Sequence, residues 1–180
     1  MRNALVAVVI VTAALLGGCG GAPTMAKGTP ERPCVARVVD VDTIRVHFGG
    51  DREEAVRLIG IDTPETHGQG GLRECFGAEA TEHTKRLLPD GTAVRLERDA
   101  ELRDRYDRLL AYVYRESDDL FVNLALVRDG FAATATFPPN VAHRDEFAAA
   151  AAEARENDLG LWSRCGGADT ALDSLVDLPP

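Results

Sequence analysis

The sequence predicts a mainly β domain of the α+β class: a small barrel of five strands accompanied by three helices. Three observations lead there. Apolar and polar residues alternate in five short runs, the period of half-buried strands. Helical spacing occupies three other stretches, one after the third strand and two after the fifth. The patterned region, residues 34–165, is long enough for one hydrophobic core and contains no internal repeat.

The chain opens with Met1-Arg2-Asn3, a small and apolar run over residues 4–16, and Gly17-Gly18-Cys19. That run is too short for a permanent membrane span and fits the apolar core of a secretory signal. Leu16-Gly17-Gly18-Cys19 resembles the lipobox of bacterial lipoproteins, in which cleavage leaves the cysteine as a lipid-modified N-terminus. Residues 1–18 therefore read as a signal peptide with lipobox, and Cys19 as the lipidation site. An ordinary signal peptide with an incidental Cys19 is the plain alternative. Either way the expected product is exported, lipid-anchored to the outer face of the bacterial cell membrane or secreted. Residues 19–33, rich in Gly, Pro, Ala and Thr, read as a flexible tether.

Within the domain, Val35, Arg37 and Val39 alternate with Ala36 and Val38, and Ile44, Val46 and Phe48 with Arg45 and His47, giving two strands. Asp40-Val41-Asp42 falls at the bend between them. Residues 55–61 form the third strand, with Arg57 facing away from Val56 and Leu58. A long loop follows, rich in Thr, Pro, His and Gly; long ordered loops in compact domains are often functional. Phe76, Ala80, His83, Thr84 and Leu87 carry the first helix, ended by Pro89-Asp90-Gly91. Residues 94–97 and 108–114 supply the fourth and fifth strands. Ser117-Asp118-Asp119 is expected to cap a helix over 120–129, stopped by Gly130. The last helix spans 141–158, and residues 166–180 read as a disordered acidic tail. Five short strands with this helix order fit an OB-like barrel.

Twenty basic residues stand against 29 acidic ones, a formal net charge of −9. This argues against a protein that grips nucleic acid by overall charge, since phosphate binders usually carry a basic footprint. The distribution softens the objection, because Arg95, Arg98, Arg103, Arg105 and Arg108 cluster in one stretch. With Cys19 lipidated, Cys34, Cys75 and Cys165 allow three single-bridge pairings. Cys75–Cys165 would tie the C-terminus to the body of the domain, and Cys34–Cys165 is the alternative.

Asp42 and Asp62 each end a strand, and Thr63 presents a carbonyl before Pro64. Two carboxylates and a carbonyl are hard oxygen donors of the kind calcium takes, with water completing the shell. Taken singly, an aspartate at a strand end is more often a turn residue bonding its own backbone. Glu65, two residues past Thr63, is placed to hold a water; a carboxylate is a weak base, yet positioned proton removal can give roughly 10²- to 10⁴-fold. Arg57 and Arg108 are the cations that could face a phosphodiester, each able to bond two oxygens. The plainer view makes Arg57 a surface strand residue and Arg108 a partner of Asp104 or Asp107.

Over roughly residues 34–162 the chain resembles the staphylococcal nuclease (thermonuclease) family. The resemblance rests on Val38-Val39-Asp40-Val41-Asp42-Thr43-Ile44, Arg57-Leu58-Ile59-Gly60-Ile61-Asp62-Thr63-Pro64-Glu65-Thr66, Asp104-Arg105-Tyr106-Asp107-Arg108 and Gly160-Leu161-Trp162, in that order. It implies an OB-fold, calcium as cofactor, and hydrolysis of DNA and RNA phosphodiesters that leaves 3′-phosphates. It further implies Asp42, Asp62 and the Thr63 carbonyl as metal ligands, Glu65 as the base, Arg57 and Arg108 as catalytic cations, and Tyr106 as a nucleotide contact. The expected partners are single-stranded or flexible DNA and RNA and, through Cys19, the membrane; the expected state is a monomer. Two departures stand out. The family usually has glycine where this chain has Val41, which fits badly if that turn needs a positive φ. A phenol often found shortly before the last helix is replaced by Phe137. The rival readings are an OB-fold nucleic-acid- or protein-binding lipoprotein, catalytically weak or inactive, and a calcium-stabilised structural lipoprotein.

Overall fold

The structure, a computed structural model, describes residues 32–64 and 74–168. The signal segment, Cys19, most of the tether, Glu65 and residues 169–180 lie outside the described residues. Alternation dictates the first three strands: β1 (Cys34–Asp40), β2 (Thr43–His47) and β3 (Glu53–Leu58) form an antiparallel meander. Val35, Ile44, Val46, Val56 and Leu58 point inward and are almost fully buried. Burial of each such side chain contributes about 1.5–3 kcal/mol.

After β4 (Ile61–Asp62), α1 (Gly77–Leu87) and β5 (Val94–Glu97), the chain returns as β6 (Leu109–Arg115), which pairs parallel with β3 and antiparallel with β5. A parallel pair needs a long crossover, and α1 lies within it. The strand order is β1-β2-β3-β6-β5. The two edges meet at a single bridge, Cys34 to Ala93, where Val35 N–H bonds Thr92 O at 2.8 Å and Val94 N–H bonds Pro33 O at 2.9 Å. The expected barrel is therefore a curled, OB-like sheet whose edges touch without a continuous closing ladder. Tyr112, Val113, Leu126 and Phe147 complete its core.

Four local expectations differ. The third strand stops at Leu58 because Gly60 takes φ +82° and its Cα sits against the Phe147 ring; a Cβ there would fall 2.3 Å from the ring carbon Cε2. The chain beyond the break forms β4, paired with β8 (Ala133–Thr134). Leu120 and Phe121 form β7 against Tyr114 and Arg115 instead of opening a helix, since Phe121 stacks on Tyr114 with centroids 4.6 Å apart. Consequently α2 (Val122–Arg128) starts later and has no side-chain cap; Asp118 binds Arg115 and Asp119 binds Arg95 instead. The last long helix, α3 (Arg144–Glu156), is shorter than its apolar pattern, and α4 (Leu161–Arg164) adds a fourth helix among the described residues. Cys75 and Cys165 are bridged, as one of the two pairings anticipated, joining the segment before α1 to the end of α4 across 90 residues of sequence.

Candidate active site

Val41 and Asp42 make the two-residue turn between β1 and β2, closed by Asp40 opposite Thr43. Val41 does not take a positive φ, so the departure from glycine carries no backbone strain. Its side chain is fully buried, and its carbonyl accepts the Thr84 hydroxyl of α1 at 2.9 Å. This packing turns Asp42 toward the sheet, where it is only 4 % exposed. A buried carboxylate must be fully bonded. Asp42 meets that demand: Oδ1 accepts Thr43 Oγ1 at 2.9 Å, Oδ2 accepts Thr63 Oγ1 at 2.7 Å, and Oδ2 also pairs with the Arg57 guanidinium.

Arg57 lies opposite Thr43 in the β2–β3 register, and its Nη2 also donates to Ile61 O at 3.3 Å, across the break made by Gly60. That break is fastened from below by Asn123, a fully buried amide on α2. Asn123 Nδ2 donates to Ile59 O at 2.9 Å and to Ala111 O at 3.3 Å, and Oδ1 accepts Val113 N–H at 2.9 Å. The strand-to-turn passage that carries Asp62 and Thr63 is thus fixed by a residue that composition and spacing did not single out.

Arg108 enters from the tight turn before β6. Asp104 Oδ1 accepts the backbone N–H groups of Tyr106 and Arg108, both at 2.9 Å, while Oδ2 takes Arg108 Nε and Nη2 at 2.7 Å. Asp107 takes φ +65° to complete the turn. Burial alone would raise the Asp104 carboxyl; the Arg108 side chain and the two backbone donors outweigh it and hold the group below its ordinary value. The third arm of Arg108, Nη1, reaches Thr43 Oγ1 at 3.3 Å. Arg108, Thr43, Asp42, Arg57 and Thr63 therefore form one continuous polar network.

This network opens into a cleft of about 720 Å³. Arg57, Arg103, Arg105 and Arg108 line it beside Asp40, Asp42, Glu101 and Asp104. Its rim carries two large exposed rings, Tyr106 at 64 % and Phe137 at 71 %. Tyr106 lies under two guanidiniums, with Arg105 Cζ at 4.7 Å and Arg108 Cζ at 5.4 Å from its centroid. Of the residues singled out in the sequence, Asp42, Arg57, Thr63 and Arg108 are brought together and Tyr106 overlooks them. Asp62 sits on β4, half-buried and next to Thr63 but not on the cleft wall. Both plain readings of the arginines are informative: Arg108 does pair with Asp104, and Arg57 is a part-buried strand residue on the cleft wall, paired with Asp42.

Among the described residues no cluster of three or more His, Cys, Asp or Glu side chains could hold a metal by itself. What the site offers is hard oxygen: the buried Asp42 carboxylate, already facing a cation, with Thr63 bonded to it and Asp62 adjacent. These donors suit calcium in chemistry.

The family profile described as "Staphylococcal nuclease homologue" matches residues 55–164, a span that includes Arg57, Asp62, Thr63, Tyr106 and Arg108. The thermonuclease of Staphylococcus intermedius is 41 % identical over 130 residues, 72 % of this chain and 75 % of that one. The chain belongs to the staphylococcal nuclease family. The chain is also similar to endonuclease YncB of Bacillus subtilis (strain 168), 36 % identical over 132 residues that make up 72 % of this chain and 61 % of that protein, and to the thermonuclease of Staphylococcus hyicus, 36 % identical over 129 residues, 72 % of this chain and 74 % of that one. Asp42 and the β1–β2 turn precede the span matched by the family profile, so their place in the site rests on the hydrogen bonds above.

Proposed function

We propose that this chain is a calcium-dependent nuclease that hydrolyses phosphodiester bonds of DNA and RNA with little sequence preference and leaves 3′-phosphates. The observation that carries the reading is the network in which Thr43 joins Arg108 to Asp42 while Arg57 pairs with the same carboxylate, all at the floor of one cleft. Two guanidiniums held in fixed positions can each bond oxygens of a phosphodiester, and such donors matter most as negative charge grows on the phosphoryl group. Asp104 fixes Arg108, and Asp42 fixes Arg57, so neither must be ordered during the reaction. Tyr106 and Phe137 offer ring faces to unstacked bases, which favours single strands and gives little discrimination between bases.

Calcium, when bound, would neutralise phosphate charge and acidify a bound water; Asp42, Asp62 and the Thr63 carbonyl are the residues that would hold it. Glu65, outside the described residues, is assigned as the base by its place two residues after Thr63: it takes a proton from water as the water oxygen bonds phosphorus, the P–O5′ bond breaks, and the leaving 5′-oxygen takes a proton from solvent. Calcium titration of cleavage tests the assignment. Asp42→Ala should raise the calcium requirement, and end-group analysis should find 3′-phosphates; an unchanged requirement would remove Asp42 from the metal site.

An OB-fold binding lipoprotein is the rival, favoured by the net charge of −9 and by the prior engagement of Arg57 and Arg108 with carboxylates. Cleavage by the purified protein excludes it. Export, a monomeric state and lipid anchoring through Cys19 complete the proposal; no helix among the described residues is long and apolar enough to cross a membrane.

A further inference from the structure

A second basic cluster lies on the sheet face that leads away from the cleft. Val39, Thr43 and Arg57 line the cleft at the near ends of β1, β2 and β3. Side chains alternate along a strand, so residues two positions farther share the face and lie about 6.6 Å away. On β2 and β3 those residues are Arg45 and Ala55, paired in register, and Arg37 of β1 stands opposite Arg45. The next pair is His47 and Glu53.

The contacts show that these side chains do share one face. Arg45 Nε bonds Glu53 Oε1 at 2.7 Å, and Arg37 Nη1 reaches across β2 to the same oxygen at 3.1 Å. His47 Nε2 stands 3.8 Å from Oε2. Two guanidiniums thus share a single carboxylate, which leaves this face with an excess of positive charge in a chain whose net charge is −9. The Arg37 and Arg45 side chains are 58 % and 32 % exposed. Ion pairs this open to water contribute little to stability, so the fold does not account for two arginines here.

We propose that Arg37 and Arg45 form an auxiliary phosphate subsite, which binds the backbone of a single-stranded polynucleotide running out of the cleft along β2. Glu53 is its internal counterion, displaced by the phosphate. The position of the strand rests on the nuclease reading of the cleft; the binding itself does not. Arg57 lies opposite Thr43, so Arg45 is its diagonal cross-strand neighbour, about 7–8 Å away. Charged tracks that follow the backbone beside aromatic platforms are how single strands are held without sequence preference, and Tyr106 and Phe137 supply the platforms at the cleft. The subsite gives a preference for length: oligonucleotides that fill only the cleft gain nothing from it.

The test is equilibrium binding of labelled oligothymidylates of about twenty and about three nucleotides, lengths chosen on either side of the usual site size of a small barrel, in chelator and across a salt series. Three proteins are compared: wild type, Arg37→Gln/Arg45→Gln, and Glu53→Gln. The double variant is expected to bind the long strand about tenfold more weakly at low salt, with the slope of log K against log salt shallower by about 0.7, the value for one lost phosphate contact on a single strand. Its affinity for the short strand stays unchanged. Glu53→Gln is expected to tighten the long strand, an outcome that loss of structure cannot imitate. An unchanged slope in the double variant, equal losses on long and short strands, or weaker binding by Glu53→Gln would overturn the subsite. Cleavage in calcium is followed separately. A wild type that cuts nothing while the long-strand slope responds as stated refutes the nuclease reading and leaves the subsite standing, and a wild type that cuts in calcium but binds neither strand in chelator refutes the subsite alone.

Discussion

Thr43 Oγ1 donates its proton to Asp42 Oδ1 at 2.9 Å and accepts a hydrogen bond from Arg108 Nη1 at 3.3 Å. One hydroxyl therefore links the buried carboxylate to a cation from the other side of the cleft. Thr43→Val keeps the shape and removes both bonds. The expected result is turnover reduced about tenfold with stability lowered by only about 1 kcal/mol, while Thr43→Ser stays close to wild type. Steady-state kinetics beside urea unfolding measures the two effects apart.

Asp104 is the anchor of Arg108, and its replacement should cost activity more than stability. Asp104→Asn loses the charge but keeps the turn, and turnover should fall about tenfold or more as Arg108 gains freedom, the usual scale for misplacing a group that acts on developing charge. The pH dependence has a definite sign. The folded Asp104 carboxyl lies below its ordinary value, so its contribution is fully present above that ordinary value and is lost as pH falls through the lower folded one. The stability difference between wild type and Asp104→Asn should hold constant from pH 8 to pH 5 and shrink only below about pH 4. Denaturation curves across that range check it.

Gly60→Ala should be among the most damaging single changes. Its Cβ would meet Phe147 Cε2 at 2.3 Å, and φ +82° disfavours any side chain. Backbone strain of about 1–3 kcal/mol adds to overpacking of about 1–3 kcal/mol. Because Arg57 bonds Ile61 O across this break, activity should fall even where the protein remains folded. Thermal unfolding and cleavage rate, measured on the same preparation, test both halves.

Away from the cleft, His83 predicts an acid-side loss of stability. Its ring stacks on Phe131 at 3.8 Å between centroids and is largely buried; Nδ1 accepts Arg86 Nη2 at 3.1 Å, and Nε2 faces Asp129 Oδ2 at 3.4 Å. Desolvation, helped by Arg86, lowers its pKa below 6.5, and Asp129 opposes this only in part. The folded state therefore keeps the ring neutral where the unfolded chain already protonates. Stability rises with pH between the folded value and about 6.5 and is level above it. His83→Gln should flatten that slope, read as the difference in unfolding free energy between pH 5 and pH 7.

Much of this was legible from the residues. The alternation around Val35, Ile44, Val56, Val94 and Val113 placed the five principal strands, and the motifs around Asp42, Arg57, Thr63 and Arg108 marked groups that the fold does bring together. The break at Gly60 was not legible, because Ile59 and Ile61 are both apolar and the ring that demands a glycine belongs to Phe147, on a distant helix. Leu120-Phe121 reads from the residues as a helix start; the stacking of Phe121 on Tyr114, which makes it a strand, depends on β6 and is not visible locally. Asn123 looked like an ordinary polar position in a helix, since nothing local reveals that its amide would be buried against three backbone groups. Thr43 stood within a quoted motif, but its role depends on Arg108 arriving from far along the chain.

The most direct test is incubation of the purified chain with single-stranded DNA in calcium and in chelator, beside Glu65→Ala and Arg108→Ala, followed by analysis of the new ends. The account predicts cleavage in calcium only, 3′-phosphate ends, and turnover lowered at least ~10²-fold in each variant. Cleavage indifferent to chelation or to either substitution, or none at all by a folded wild type, would contradict it.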